Sequence, residues 1–585
     1  MRSSGVRLAE LRVLEGPNLY FTRPAIKVTL DVPGWLDADE RRTARLAERV
    51  GLRGRPTPGR PGTGQRLRYL ARVAGHVARR LARASGARVG VRSRPGSEPG
   101  QVVIAFPWRR REAAQALGRA VAGSMGALLD GRRRFDTIAD ETARDIRAAE
   151  PGPSPSVPVP GIPVIQVTGT NGKTTTVRLL AHLARTAGLR VAFTTTDGVY
   201  VGEERVEEGD YSGPGGAAMA LAQPGVEIAI FEVARGGILL KGIGTTHNDV
   251  AVVTNISADH LGLHGIHTLD QLAEVKATIT RITRPEGWDV LNADDPRVLA
   301  MRRQARGRPF LFSLDPDHPA VRGVLSEGGR ALAPVDGDMT LMAPGPSLLS
   351  LVPLEDVPVT LAGISSHFIQ NAMAATAAAL GVGLPREDVV RGLRSFVLDP
   401  ERNPGRANLF EIDGRVVVVD YAHNEAGMSG LVEIARGLRP SGARVWLAFG
   451  SAGDRTDDIL EGMGTIAARG ADRVILVEMH KYLRGREPDD VLAHLRAGCA
   501  DAGVRDVPDF PDELAGLRWM LERSKPDDVV AITALAQRPE VFAFLEGSGA
   551  SRIGPERCRE LARRAATGLG RRPGPREAAG AAPSG

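Results

Sequence analysis

The chain has 585 residues, too many for one hydrophobic core, so its length predicts roughly three to four domains. Its 76 Lys and Arg against 69 Asp and Glu leave a net charge of +7, modest for this length, and the Arg runs at 109–111 and 132–134 lack interleaved aromatics, which argues against nucleic-acid binding. Two cysteines without CxxC spacing exclude a disulfide framework and a Cys-based metal site, and no apolar run of signal-peptide or membrane-span length occurs, so a cytoplasmic protein without membrane contact is expected.

Residues 1–150 alternate short strand-like runs (25–32, 102–107) with Arg- and Ala-rich helical stretches (67–85, 111–129), an α+β pattern without a phosphate loop. The Pro-rich stretch 151–163, PGPSPSVPVPGIP, cannot continue a helix and reads as a linker. Over 164–400 the apolar runs end at Val167, Thr196, Phe231 and Thr254, each followed by polar residues and helical periodicity. That alternation predicts a doubly wound parallel sheet with ligands at the carboxyl ends of its strands. A second, Rossmann-like α/β unit spans 401–565, with strand candidates at 416–419, 445–449, 474–477 and 529–532. The Gly-, Pro-, Arg- and Ala-rich tail 566–585 is expected to be disordered.

The stretch 162–180, IPVIQVTGTNGKTTTVRLL, carries most of the chemistry. An apolar run enters a glycine-bracketed loop, Gly169, Thr170, Asn171 and Gly172, and Lys173, Thr174 and Thr175 open a helix. Loop amides and a helix N-terminus bind phosphates, a lysine adds a point charge and a hydroxyl reaches Mg²⁺. Val167 stands where the strict pattern wants its first glycine, and on pattern alone a Gly-rich turn without chemical consequence stays open. The string TGTNGKTT resembles the phosphate loop of the Mur ligase family, ATP-dependent enzymes that join an amine to a carboxylate through an acyl-phosphate. Within that family the likeness is to the cyanophycin synthetase branch. The resemblance implies ATP and Mg²⁺ as cofactors.

Glu232 follows the apolar run 228–231, so it sits at a strand's carboxyl end, where it either completes a Mg²⁺ shell with Thr174 or caps the next turn. The surrounding FEVARGGIL is similar to a segment of the cyanophycin synthetases, which implies the metal role. In NISADHLGLHGIH the family likeness assigns a second metal to His260 and leaves His264 and His267 unassigned. Thr268 and Gln271 form a possible capping box, and a helix from there puts Leu269, Leu272, Lys276 and Ile279 on one stripe. A lysine on an apolar stripe either snorkels to solvent or has a depressed pKa, and a neutral amine reacts with CO₂. The resemblance implies the latter: a carbamylated Lys276 that orients Mg²⁺ and the acyl-phosphate. Only six lysines occur in the whole chain, and two of them are Lys173 and Lys276.

The same resemblance places Asn292 and Asp295 near the nucleotide, and makes 194–216 an acceptor-side loop. His367, Gln370 and Asn371 fall at a helix start. In NPGRANLFEIDGRVVVVDYAHNEAG, 403–427, it brings Arg406 to the phosphates and Asp420 to the ribose, with Tyr421, His423 and Asn424 lining the same crevice. Lys481, Arg484 and Arg486 are candidates for the incoming amino acid's carboxylate. In cyanophycin synthetases an ATP-grasp domain separates the N-terminal region from the Mur-like half, and here only the Pro-rich stretch does. The expected function is therefore an ATP- and Mg²⁺-dependent acid–amino acid ligase with catalytic Lys173, Lys276 and His260. It would make single additions of an amino acid to an acidic peptide or other carboxylate rather than a polymer. The alternative is an ATP-binding regulatory or scaffold subunit working with a separate ATP-grasp ligase. A P-loop kinase or GTPase would leave the second α/β unit unexplained, and no NKxD segment is present.

Overall fold

The computed structural model describes residues 5–568 except 55, 132, 260, 346 and 347. His260 and the tail beyond Gly568 therefore lie outside the described residues.

Three sheets organise the chain. The first is antiparallel: β1 (Arg7–Leu14), β2 (Ala25–Asp31), β3 (Arg92–Pro95) and β4 (Gln101–Pro107) pair in the order β1-β2-β4-β3. Helices Gly64–Ala84, Arg111–Asp130 and Phe135–Ala148 pack on it around Trp35, Val73, Phe106 and Met125. Residues 149–163 carry no helix or strand.

The second sheet has eleven strands: β5 (Val164–Thr168), β6 (Val191–Thr195), β7 (Gly198–Val201), β8 (Glu204–Glu208), β9 (Ile228–Glu232), β10 (Asn248–Val253), β11 (Thr283–Asn292), β12 (Arg308–Phe312), β13 (Arg330–Val335), β14 (Asp338–Met342) and β15 (Leu348–Pro353). Their order is β15-β14-β13-β12-β11-β10-β5-β9-β6-β7-β8, parallel from β13 to β6 and antiparallel at both ends. Strands β5 and β9 are buried along their whole length, because helices cover both faces of a parallel sheet. From β5 the chain winds one way to β6, and after β9 it crosses to the other side as β10. That reversal is the switch point where such sheets bind ligands.

The third sheet runs β20-β19-β18-β21-β17-β16-β22 through β16 (Asn408–Ile412), β17 (Arg415–Asp420), β18 (Val445–Phe449), β19 (Arg473–Val477), β20 (Asp509–Phe510), β21 (Val529–Thr533) and β22 (Ser551–Arg552). Its middle is parallel, and β16 and β22 close one edge antiparallel. The helix Glu425–Leu438 packs directly on the start of the helix Ser366–Gly381: Ser366 Oγ and N donate to Glu433 (2.8 and 3.1 Å), and a Cβ on Gly437 would lie 2.3 Å from Ile364. The second and third sheets thus share one hydrophobic core.

The sequence reading and the structure differ in three places. Part of the expected 194–216 loop is the hairpin β7–β8. The capping box at Thr268 and Gln271 forms with both halves present, but the helix ends at Lys276, so Ile279 is not on its stripe. Thr278, Ile279 and Thr280 are β-branched and poor helix formers, and the chain turns there. At the other end of the chain, the helix Pro555–Gly568 runs past residue 566.

Asp289, on β11, is fully buried with its carboxyl accepting from Thr283 Oγ1 and Gly307 N, both 2.7 Å. Burial pushes its pKa up to about 7. A carboxyl raised in the folded state stabilises the fold below its unfolded pKa and loses that contribution as pH rises through 7, about 2–3 kcal/mol between pH 5 and 8. Chemical unfolding across that range should show this loss in the parent, and Asp289→Asn should flatten it.

Candidate active site

The carboxyl ends of β5, β9 and β10 meet the third sheet across a cleft of about 800 Å³. Its floor is the loop 169–172, whose conformation needs its glycines. Gly169 has φ +150° and a Cβ there would lie 1.9 Å from Thr254 Oγ1; Gly172 has φ +84° and its Cβ would lie 2.1 Å from Asn371 Oδ1. Asn255 takes two of the loop amides: its carbonyl accepts from Thr170 N and its Oδ1 from Asn171 N, both 2.9 Å. The first-turn amides of the helix Lys173–Thr186, which have no partner within a helix, are donors an anion can use. Lys173 Nζ donates to Thr170 O at 2.8 Å, so its charge stays over the loop.

Thr174 Oγ1 donates to Glu232 Oε2 at 2.9 Å. Glu232 is 2% exposed, and its other oxygen, Oε1, is buried without a hydrogen-bond partner. Burial raises the Glu232 pKa, opposed by the Lys173 charge and the Thr174 hydrogen bond. A hydroxyl and a carboxylate with an unused buried oxygen, beside a phosphate loop, fit a hard cation shared with phosphates. Among the described residues no group of three His, Cys, Asp or Glu is arranged to hold a metal by itself.

Lys276 is 4% exposed, and its Nζ donates to Gly169 O at 2.6 Å. It does not snorkel. Burial and the nearby Lys173 charge hold its pKa well below the usual lysine value, against the pull of Asp259 and Glu232.

The facing wall comes from the third sheet. Arg406 lies over the Tyr421 ring at 4.8 Å, and Asp420, at the end of β17, accepts from Ala407 N at 2.8 Å. Burial raises the Asp420 pKa, with Arg406 opposing. Asn171 and Asn424 exchange side-chain hydrogen bonds (3.1 and 3.2 Å), tying the phosphate loop to the helix that Asn424 caps. Asp259 reaches across to Arg455 at 3.1 Å and lies 3.8 Å from His423 Nε2.

The cleft gathers 169–175, Glu232, Lys276, Arg406 and Asp420 from the expected set. Asn292 and Asp295 are not on its walls: Asn292 Nδ2 donates to Thr254 O (2.8 Å), and Asp295 accepts from Ile256 N and caps the short helix Pro296–Ala300. They brace the strand end leading to the loop. Lys481 and Arg484 line the cleft, Arg484 paired with Asp454 at 2.7 Å, whereas Arg486 pairs with Asp457 and Asp490 off its walls. His264 and His267 stand outside it, and His260 lies outside the described residues. Arg235, Asp259 and Arg538 line the cleft without having been singled out. Arg235 and Asp259 sat inside the quoted strings FEVARGGIL and NISADHLG, but no spacing rule marks them.

Residues 167–379 match the Mur ligase middle domain and 405–535 the Mur ligase glutamate ligase domain. The UDP-N-acetylmuramoyl-L-alanyl-D-glutamate–2,6-diaminopimelate ligase of Alkalilimnicola ehrlichii is 31% identical over 74% of this chain and 87% of its own length. The chain belongs to the Mur ligase family. Members of that family are ATP-dependent ligases that form amide bonds. Cyanophycin synthetase of Crocosphaera subtropica is 40% identical over 63% of this chain but only 42% of its own length, so the chain spans less than half of that relative. A solved bifunctional folylpolyglutamate synthase/dihydrofolate synthase, with Mn, AMPPNP and L-glutamate bound, is 19% identical at a TM-score of 0.49, over 66% of this chain and 89% of that one.

Gly172→Ala should strain the loop and push Asn371 away, weakening AMPPNP binding roughly tenfold or more. Calorimetric titration against the parent checks this, with circular dichroism confirming an intact fold.

Proposed function

We propose that the chain is a cytoplasmic, ATP- and Mg²⁺-dependent acid–amino acid ligase that adds single amino acids to an acidic peptide or other carboxylate. The observation that carries this reading is the cleft, which sets the phosphate loop on one wall and the cations Lys481 and Arg484 on the other. Two substrates approaching from facing walls is what amide formation needs.

ATP, held at the loop with magnesium, would supply the γ-phosphoryl group to the acceptor carboxylate and leave as ADP; the donor amine would then attack the acyl carbon, expel phosphate and lose a proton as the amide forms. Lys173 and the first-turn amides hold and neutralise the phosphates, while Thr174 and Glu232 are the residues that would hold the metal. Arg406 and Asp420 serve the nucleotide from the opposite wall. Lys481 and Arg484 bind the donor's carboxylate and so aim its amine. Lys276, kept neutral by burial, would take up CO₂ as a carbamate, losing a proton, and would be the residue to hold a second cation. The family likeness gives His260 the same role. Positioning and charge neutralisation in a site shut off from water provide the acceleration.

Residues 149–163 join the N-terminal sheet to the phosphate loop directly, which supports single additions over chain growth. An ADP-release screen across amino acids and acidic peptides, with mass spectrometry of products, tests the reading. Discrete single additions are expected, with Lys173→Ala folded but silent. An insoluble Asp/Arg polymer made by the chain alone would overturn the single-addition reading. ATP binding without amine-dependent turnover would favour the regulatory subunit, whose partner would be a separate ATP-grasp ligase.

Lys276→Ala should lose turnover and regain part of it with acetate or propionate, which stand in for the carbamate. Parent-level activity of the unrescued variant would remove Lys276 from the mechanism.

A further inference from the structure

The N-terminal sheet has no role in the ligase reading, yet it touches the central sheet at a telling place. The β3–β4 hairpin runs along the segment that ends in Lys276. At one end, Ser97 Oγ would lie 2.2 Å from a Cβ on Gly265, so the Ser97 side chain packs against the Gly265 backbone. Next to it, Glu98 Oε1 lies 3.2 Å from His267 Nε2. Two turns further on, Arg94 Nη1 donates to both carboxylate oxygens of Glu274 (3.1 and 2.9 Å), with its guanidinium 5.1 Å over the Tyr20 ring. Beneath these contacts Leu19, Tyr20 and Val103 belong to the same hydrophobic cluster as Leu272 and Val275, from the buried face of the helix Leu269–Lys276.

That helix has only eight residues, too few to be stable alone, so its direction must come from what it packs on. Its last residue is the buried lysine. We propose that the β3–β4 hairpin is a splint for the helix Leu269–Lys276, with Arg94 as the positioning residue that holds Lys276 in register with the phosphate loop. The inference rests on the reading that Lys276 serves the reaction. It gives the first quarter of the chain a task in catalysis. Arg94 and Glu274 are 40% and 41% exposed, so their pair contributes little to global stability, and its loss should loosen the helix without unfolding the protein.

The test uses the full chain as parent, Arg94→Ala, Arg94→Glu, Glu274→Arg and the exchanged pair Arg94→Glu/Glu274→Arg. Hydrogen–deuterium exchange over 269–276, melting temperature and amine-dependent ADP release are measured on each. Arg94→Ala and Arg94→Glu should exchange about fivefold faster over 269–276 with melting temperature held, and kcat should fall roughly three- to tenfold with KM for ATP within about twofold. The exchanged pair should recover most of both. Unchanged exchange in Arg94→Glu, or no recovery in the exchanged pair, overturns the splint. Faster exchange with parent-level kcat overturns it too, because the helix would then hold nothing that the reaction uses. If no chain, parent included, shows amine-dependent turnover, the ligase reading fails, and the exchange data still decide whether the hairpin splints the helix.

Discussion

A primary amine with almost no solvent exposure, hydrogen-bonded to the carbonyl of a phosphate loop, is the constraint on which this arrangement depends. Burial strips an ammonium there of its hydration and Lys173 nearby adds repulsion, so the neutral amine is favoured against the pull of Asp259 and Glu232. That amine donates to Gly169 O, which ties the helix after β10 to the loop after β5. Moving β10 relative to β5 would break this bond and leave a buried polar group without a partner, which costs more than a misplaced apolar contact.

The same economy governs the loop. Two of its amides are held by Asn255, its lysine bonds back to Thr170, and Asn371 fills the space a side chain at Gly172 would need. What remains unspoken for is the first turn of a helix and one carboxylate oxygen. These groups are what phosphates and a hard cation satisfy, so the loop is rigid where it must hold shape and unsatisfied where a ligand belongs.

Reading the sequence recovered the central architecture because parallel strands buried on both faces appear as unbroken apolar runs, and β5, β9 and β10 are such runs. Antiparallel edge strands were harder. β1, β3 and β15 are exposed or half-buried at most positions, and the hairpin β7–β8 is written in glycine and glutamate, which read as loop. Among site residues, those with a local signature were legible: the loop glycines, Lys173 with Thr174, Glu232 at a strand end, and Lys276 behind a capping box. Asp259 with Arg455, and Asn171 with Asn424, were not, because each pair spans about 200 positions or more and exists only once two sheets face each other. Asn292 and Asp295 show the converse. Their strand-end position suits a ligand, and in the structure their hydrogen bonds go to backbone.

Two sheets meet at this site and the third backs the central one, and that explains why the chain is not two independent ligase domains with an appendage. The central sheet supplies the loop, the C-terminal sheet supplies the opposing cations, and the two share a core through the helices Ser366–Gly381 and Glu425–Leu438. The N-terminal sheet lends Leu14, Leu19, Tyr20, Val103 and Ala105 to the other face of the central core, the face that carries Leu272 and Val275. Loosening either flank would move a wall of the cleft relative to a loop that has no slack of its own. Because interiors are packed too densely to deform smoothly, such a shift would appear as a second discrete arrangement of the cleft rather than as gradual softening.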